Sequence, residues 1–69
     1  MDSHLLRIGD VYKLTGKTAR AIHLYEELGL LQPATRSSGG FRLYEASVVE
    51  RVRWIEQLRS LGFSLQEMR

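Results

Sequence analysis

The stretch Thr15–Tyr44, TGKTARAIHLYEELGLLQPATRSSGGFRLY, decides the fold of this 69-residue chain. Thr15-Gly16-Lys17 separates two short amphipathic segments, and glycine there supplies the positive φ that a tight turn between helices needs. On its N-terminal side Ile8, Val11 and Leu14 fall at helical spacing, with Asp10 placed for the positive end of a first helix. On its C-terminal side Thr18 is the expected N-cap of a second helix, Ala19 to about Leu28, with Gly29 as its C′ residue. Ile22, Tyr25 and Leu28 form the inward stripe of that helix. Lys17, Thr18, Arg20, Ala21 and His23 are left near its outer, N-terminal end.

The same stretch then changes period. Leu30, Leu31 and Pro33 lead into an extended segment, and Ser37-Ser38-Gly39-Gly40 reads as a hairpin tip because adjacent glycines reach positive φ at little cost. Phe41-Arg42-Leu43-Tyr44 alternates, which predicts Phe41 and Leu43 on the core face and Arg42 and Tyr44 on the other. Beyond it, Val48, Val49, Val52, Ile55, Leu58 and Leu61 give a third helix, about Ala46 to Ser60, its apolar stripe, and Gly62 ends it. Trp54 lies off that stripe. Ser64-Leu65-Gln66-Glu67 is a capping box that opens a fourth helix. The chain stops at Arg69 barely a turn later, which points to a piece of a longer protein.

Composition narrows the function classes. A chain of 69 residues makes one small domain with a marginal core. It has no cysteine, so neither a disulfide nor a thiolate metal site is available, and His4 and His23 are too far apart in sequence to suggest a metal site. The net charge of +2 and pI near 9.4 are mild, but the charge is uneven. Val11 to Tyr25 carries Lys13, Lys17 and Arg20 and no acid, whereas Glu45, Glu50, Glu56 and Glu67 balance Arg51, Arg53, Arg59 and Arg69 further on. No apolar run approaches the ~20 residues of a membrane span, and MDSHLLRIGD is not a signal peptide, so a cytoplasmic protein is expected. No nucleophile, base and orienting group assemble into a catalytic set, and Gly39-Gly40 lacks the lysine and following helix of a phosphate-binding loop. No enzyme, metal or cofactor is expected.

A helix-turn-helix followed by a cationic hairpin suits duplex DNA, with the second helix in the major groove and the hairpin on the neighbouring backbone. Lys17 and Thr18 lie where free amides and the helix dipole favour a phosphate. Arg36, Arg42 and Tyr44 fit a wing that grips the backbone, and Arg42 has no obvious partner in sequence. His23 is a further candidate on the outer surface.

Arg20-x-Ile22-x-x-Tyr25-Glu26, Gly29-Leu30-Leu31-x-Pro33, Arg36, Gly40-Phe41-Arg42-x-Tyr44 and Leu61-Gly62-Phe63-Ser64-Leu65, in this order and spacing, resemble the N-terminal DNA-binding domain of the MerR family of bacterial transcription regulators. The resemblance runs from about Arg7 to the end. It implies a mainly α (α+β) winged helix-turn-helix of about four helices with a small β-hairpin wing, spanning residues 1–69. It further implies Arg20 facing the major groove and the Tyr25 hydroxyl on a phosphate. The partners it implies are a pseudo-palindromic promoter bound and distorted by a homodimer, and RNA polymerase. The dimerisation helix and effector domain would follow this domain, and without them a monomer is expected. Tyr12, His23 and Leu24 depart from the family pattern, where alanine, arginine and an aromatic are usual. Arg7 stands where a capping threonine is common. An excisionase-like architectural DNA-bending factor and a protein-interaction domain are the alternative functions.

Overall fold

The structure, a computed structural model, describes residues 5–69; His4 and the residues before it lie outside that range. Its elements are β1 (Leu6–Arg7), α1 (Ile8–Thr15), α2 (Ala19–Glu27), β2 (Thr35–Arg36), β3 (Arg42–Tyr44) and α3 (Ser47–Ser60), followed by a 3₁₀ turn at Gln66–Met68. The architecture is the expected winged helix-turn-helix.

Each helix boundary has a local cause. Arg7 precedes α1 and supplies no side-chain cap; instead the Asp10 carboxylate accepts from the Arg7 backbone N–H at 3.0 Å. Gly16, at φ 73°, ends α1. The Thr15 hydroxyl reinforces the turn, donating to the Val11 carbonyl at 2.7 Å and accepting from the Lys17 N–H at 3.2 Å. Thr18 caps α2 as expected, its hydroxyl accepting from the Ala21 N–H at 3.2 Å. At the far end the Gly29 N–H reaches the Glu26 carbonyl and the Leu30 N–H reaches the Tyr25 carbonyl, a Schellman pair with Gly29 at φ 78°. A Cβ at Gly29 would meet nothing within 4 Å. Gly29→Ala therefore isolates backbone strain, expected to cost about 1–2 kcal/mol. Thermal denaturation checks this: an unchanged midpoint would show that the cap does not depend on the left-handed backbone.

The three strands form one antiparallel sheet in the order β1-β3-β2. β3 pairs Leu43 with Arg7 and Tyr44 with Leu6 on one edge, and Leu43 with Thr35 and Arg42 with Arg36 on the other. The third strand, β1, escapes sequence reading because two residues cannot display an alternation.

Val11, Ile22, Tyr25, Leu30, Leu31, Tyr44, Val48, Val49, Val52 and Ile55 form the core. Tyr12, despite its size, packs half-buried against that core, and its carbonyl accepts the Gly16 N–H. The strand alternation of β3 is the reverse of expectation. Tyr44 is the buried side chain, Leu43 is half-buried, and Phe41 is 71% exposed. A three-residue strand shows two faces without showing which is inward. Here the Glu26 side chain of α2 meets Arg42 and Tyr44 on one face, Tyr44 enters the core, and Phe41 is left beside the wing tip. Leu14 and Leu61, also expected inside, are exposed because each sits at a helix end, past the reach of the packed layer. The fourth helix opens with its capping box (Ser64 N–H to Glu67 Oε1 at 2.7 Å, Glu67 N–H to Ser64 Oγ at 3.2 Å) and runs for one 3₁₀ turn.

Candidate nucleic-acid interface

Two carboxylates flank α2, and each gathers side chains that sequence reading placed on DNA. The first is Glu26, on α2 itself. Its Oε1 lies 3.2 Å from Nε of Arg42, and its Oε2 accepts the hydroxyl of Tyr44. The Glu26 side chain is only 12% exposed, so this is a bridge from α2 to the wing strand, laid mostly under the surface. Burial and the neighbouring Glu26 carboxylate push the Tyr44 phenol well above its usual range, which keeps it a proton donor.

The second carboxylate is Glu56, on α3. Its Oε2 accepts both the Lys17 ammonium and, at 3.2 Å, the Tyr25 hydroxyl. The Lys17 hydrogen bond holds the Glu56 carboxyl below the usual carboxylate value. Partial burial opposes this, and the Lys17 charge and the Tyr25 bond add to it.

The placement of the eight expected residues follows from this. Arg42 stands between Glu26 and solvent, 38% exposed. Arg36 lies directly across the β2–β3 ladder from it, and its Nη1 donates to the Gly40 carbonyl at 2.8 Å. Two arginines opposite one another repel; the carboxylate on one and the carbonyl on the other keep both in place. With His23, Glu26, Glu27 and Pro33, these arginines line one depression between α2 and the wing. Lys17 belongs to the opposite side, on Glu56. Arg20 and His23 are exposed on α2, and Thr18 is occupied as the N-cap.

Arg42, Tyr44 and Tyr25 have partners within the chain that the sequence did not suggest. Arg42 does have a packed partner, Glu26, which the sequence did not suggest because 16 positions separate them. Tyr44 is buried and its hydroxyl is bonded to Glu26, so in the free chain it supports the wing from beneath. Tyr25 has a buried ring as expected, but its hydroxyl is held by Glu56 in the free chain.

Sequence reading missed Glu26, Glu56 and the exposed Phe41. Glu26 stands in the quoted Tyr25-Glu26 motif and Glu56 in no motif, but the partners of neither acid could be read from the sequence, since they come from other elements. Trp54, off the apolar stripe of α3, is 39% exposed and has the Arg51 guanidinium 4.3 Å above its ring; Nε of Arg51 also donates to the Leu30 carbonyl at 2.9 Å. Among the described residues no three His, Cys, Asp or Glu side chains converge as a metal site. No helix among them is long and apolar enough to cross a membrane.

Comparison with known proteins agrees with this geometry. Residues 6–69 match the family model described as MerR HTH family regulatory protein. The chain is 49% identical over 63 residues to nodulation protein NolA of Bradyrhizobium sp. (strain NC92), covering 91% of this chain and 27% of that protein. It is 42% identical over 62 residues to the HTH-type transcriptional regulator CueR of Escherichia coli O6:H1, covering 90% of this chain and 46% of the relative. Among solved structures, a MerR-family transcriptional regulator from Bacillus cereus superposes with TM-score 0.80 at 32% identity, over 91% of this chain and 47% of that one. The regulator PbrR691 of Ralstonia metallidurans CH34, solved in complex with lead(II), gives TM-score 0.80 at 34% identity, over 93% and 50%. The chain thus spans between about a quarter and a half of the length of these relatives.

Proposed function

We propose, from the premise that this chain belongs to the MerR family of helix-turn-helix regulatory proteins, that it is the DNA-reading part of a transcription regulator. In this reading α2 enters the major groove and the wing follows the adjacent backbone. Arg20 and His23 face the bases or the groove wall. Arg36 and Arg42 take phosphates, and Lys17 takes another at the start of α2, where free amides and the helix dipole assist. The complete regulator binds a pseudo-palindromic promoter as a homodimer, distorts it and acts on RNA polymerase. It does so in the cytoplasm, without enzymatic activity.

The observation that carries this reading is the position of Arg20. It is exposed in the first turn of α2, a turn with no acid, although a cation at a helix N-terminus is opposed by the helix dipole. A polyanion lying across that helix end makes the position favourable. The test is retention of mixed-sequence duplex DNA across a salt series. Log affinity should fall linearly with log salt, by about 0.9 for each phosphate neutralised. A chain that ignores duplex DNA even in dilute salt is a protein-interaction module, and the reading fails.

Glu56 adds a prediction of opposite sign to most interface substitutions. It occupies the single charged nitrogen of Lys17, so a phosphate must displace it. Glu56→Gln should therefore tighten DNA binding and steepen its salt dependence by up to about one contact. Lys17→Ala should cost more in that background than in the wild type. Unchanged affinity in Glu56→Gln would remove Lys17 from the interface. Folding stability should respond in the other direction. A carboxyl with a lowered folded-state pKa stabilises above its unfolded value, and that stabilisation is lost as pH falls through the folded one. The wild type should thus be slightly more stable than Glu56→Gln at neutral pH and equal to it in strong acid.

A further inference from the structure

Glu26 presents a difficulty for any DNA-binding surface, because it is an acid beside the wing arginine. Bulk electrostatics makes it a liability, and its removal should strengthen binding. The geometry argues the reverse. The contact is made to Nε, the inner nitrogen of the guanidinium, by Oε1. The closest approach in this ion pair is at Nε, and Arg42 donates no hydrogen bond among the described residues, so its terminal amino groups keep their donors. A guanidinium paired at Nε keeps its outer edge for a second anion, while the first holds it beside α2. The other carboxylate oxygen is tied to Tyr44, a buried side chain two residues along the same strand, so Glu26 itself cannot swing away. The contrast with Glu56 is instructive. A lysine held at its only nitrogen is masked, whereas an arginine held at Nε is aimed.

We propose that Glu26 is a positioning residue for DNA recognition, fixing the wing arginine Arg42 to the recognition helix so that both meet the duplex in one register. The inference rests on the DNA-binding reading above. The acid ties the wing strand to α2 through a single side chain, in addition to the backbone pairing of β3 with β1. Arg42 then reaches its phosphate without having to be ordered on binding, and side-chain ordering is one of the costs of association.

The test is duplex DNA binding by Glu26→Gln, Tyr44→Phe, Arg42→Ala and the Glu26→Gln/Arg42→Ala double variant, each checked for folding by thermal denaturation. Glutamine keeps the shape but offers one acceptor oxygen in place of two, so Arg42 and Tyr44 compete for it. Glu26→Gln should weaken binding on the order of three- to tenfold although it removes a negative charge. In the Arg42→Ala background the same substitution should cost nothing. Tyr44→Phe keeps the Glu26–Arg42 pair and frees only the second carboxylate oxygen, so it should weaken binding less than Glu26→Gln does. Binding by Glu26→Gln that equals or exceeds the wild type overturns the inference, as does an equal loss in Tyr44→Phe. If Glu26→Gln does not fold, Arg42→Lys decides: it keeps the charge but lacks the inner nitrogen, and should bind more weakly than the wild type. Wild-type affinity in Arg42→Lys overturns the inference. If the wild type itself ignores duplex DNA, the failure belongs to the DNA-binding reading and not to Glu26.

Discussion

Ile22→Ala should lower the thermal midpoint of this domain by about 10 °C or more, while Phe41→Ala should leave it almost unchanged. Ile22 is fully buried at the centre of α2 and belongs to the same core as Val11, Tyr25 and Ile55. Truncating a buried isoleucine to alanine removes transfer free energy and leaves a cavity, together about 2–5 kcal/mol. A domain of this size has only roughly 3–10 kcal/mol to lose, at about 0.05–0.15 kcal/mol per residue. A substantial unfolded fraction at room temperature is therefore expected. Phe41 is the larger side chain, but most of it is already in water, so its removal belongs with surface substitutions, usually within about 0.5 kcal/mol. Circular dichroism melts of the two variants decide the matter. A Phe41→Ala loss as large as that of Ile22→Ala would mean that the wing packs its alternation the other way round.

That pair of substitutions marks where the sequence was legible. The turn at Gly16, the Thr18 cap, the Gly29 terminus and the Ser37–Gly40 hairpin tip were all readable, because each is a local backbone requirement met by a local residue choice. The inward stripe of α2 was readable at Ile22 and Tyr25, where helical periodicity runs long enough to define a face. The face of β3 was not. Its three residues carry an alternation without a sign, and hydrophobicity favoured Phe41 over Tyr44. The sign came from Glu26, an acid on a different element that satisfies a buried tyrosine hydroxyl. The candidate site divides in the same way. Sequence sufficed to name the cations, whose type and position suit phosphate. It could not show that Lys17 is held by Glu56 or that Arg42 is held by Glu26, because those pairs span 39 and 16 positions and exist only once the helices are packed.

Arg20→Glu should move folding and DNA binding in opposite directions. Thr18 is the N-cap of α2, so Arg20 stands two residues inside the helix, where the exposed amides carry partial positive charge. A cation there is mildly unfavourable to the free domain, and an anion would be favourable by about 0.3–1 kcal/mol. No salt bridge or hydrogen bond ties the Arg20 side chain to another described residue, so the substitution breaks nothing in the fold. The thermal midpoint should stay level or rise by a few degrees. On DNA the same change removes a cation and sets a carboxylate against the groove wall. Like charges opposed across an interface cost several kcal/mol, which corresponds to about a 100-fold loss of affinity or more. Arg20→Ala separates the two contributions, since it removes the attraction without adding repulsion. If Arg20 holds a phosphate, the alanine variant loses about 0.9 of the salt slope on every sequence. If it reads a base edge, the slope is kept and discrimination at one base pair falls by about 1–3 kcal/mol. Either result keeps Arg20 in the interface. A stable Arg20→Glu domain that binds duplex DNA as tightly as the wild type would take α2 out of the groove, and the proposed docking would fall with it.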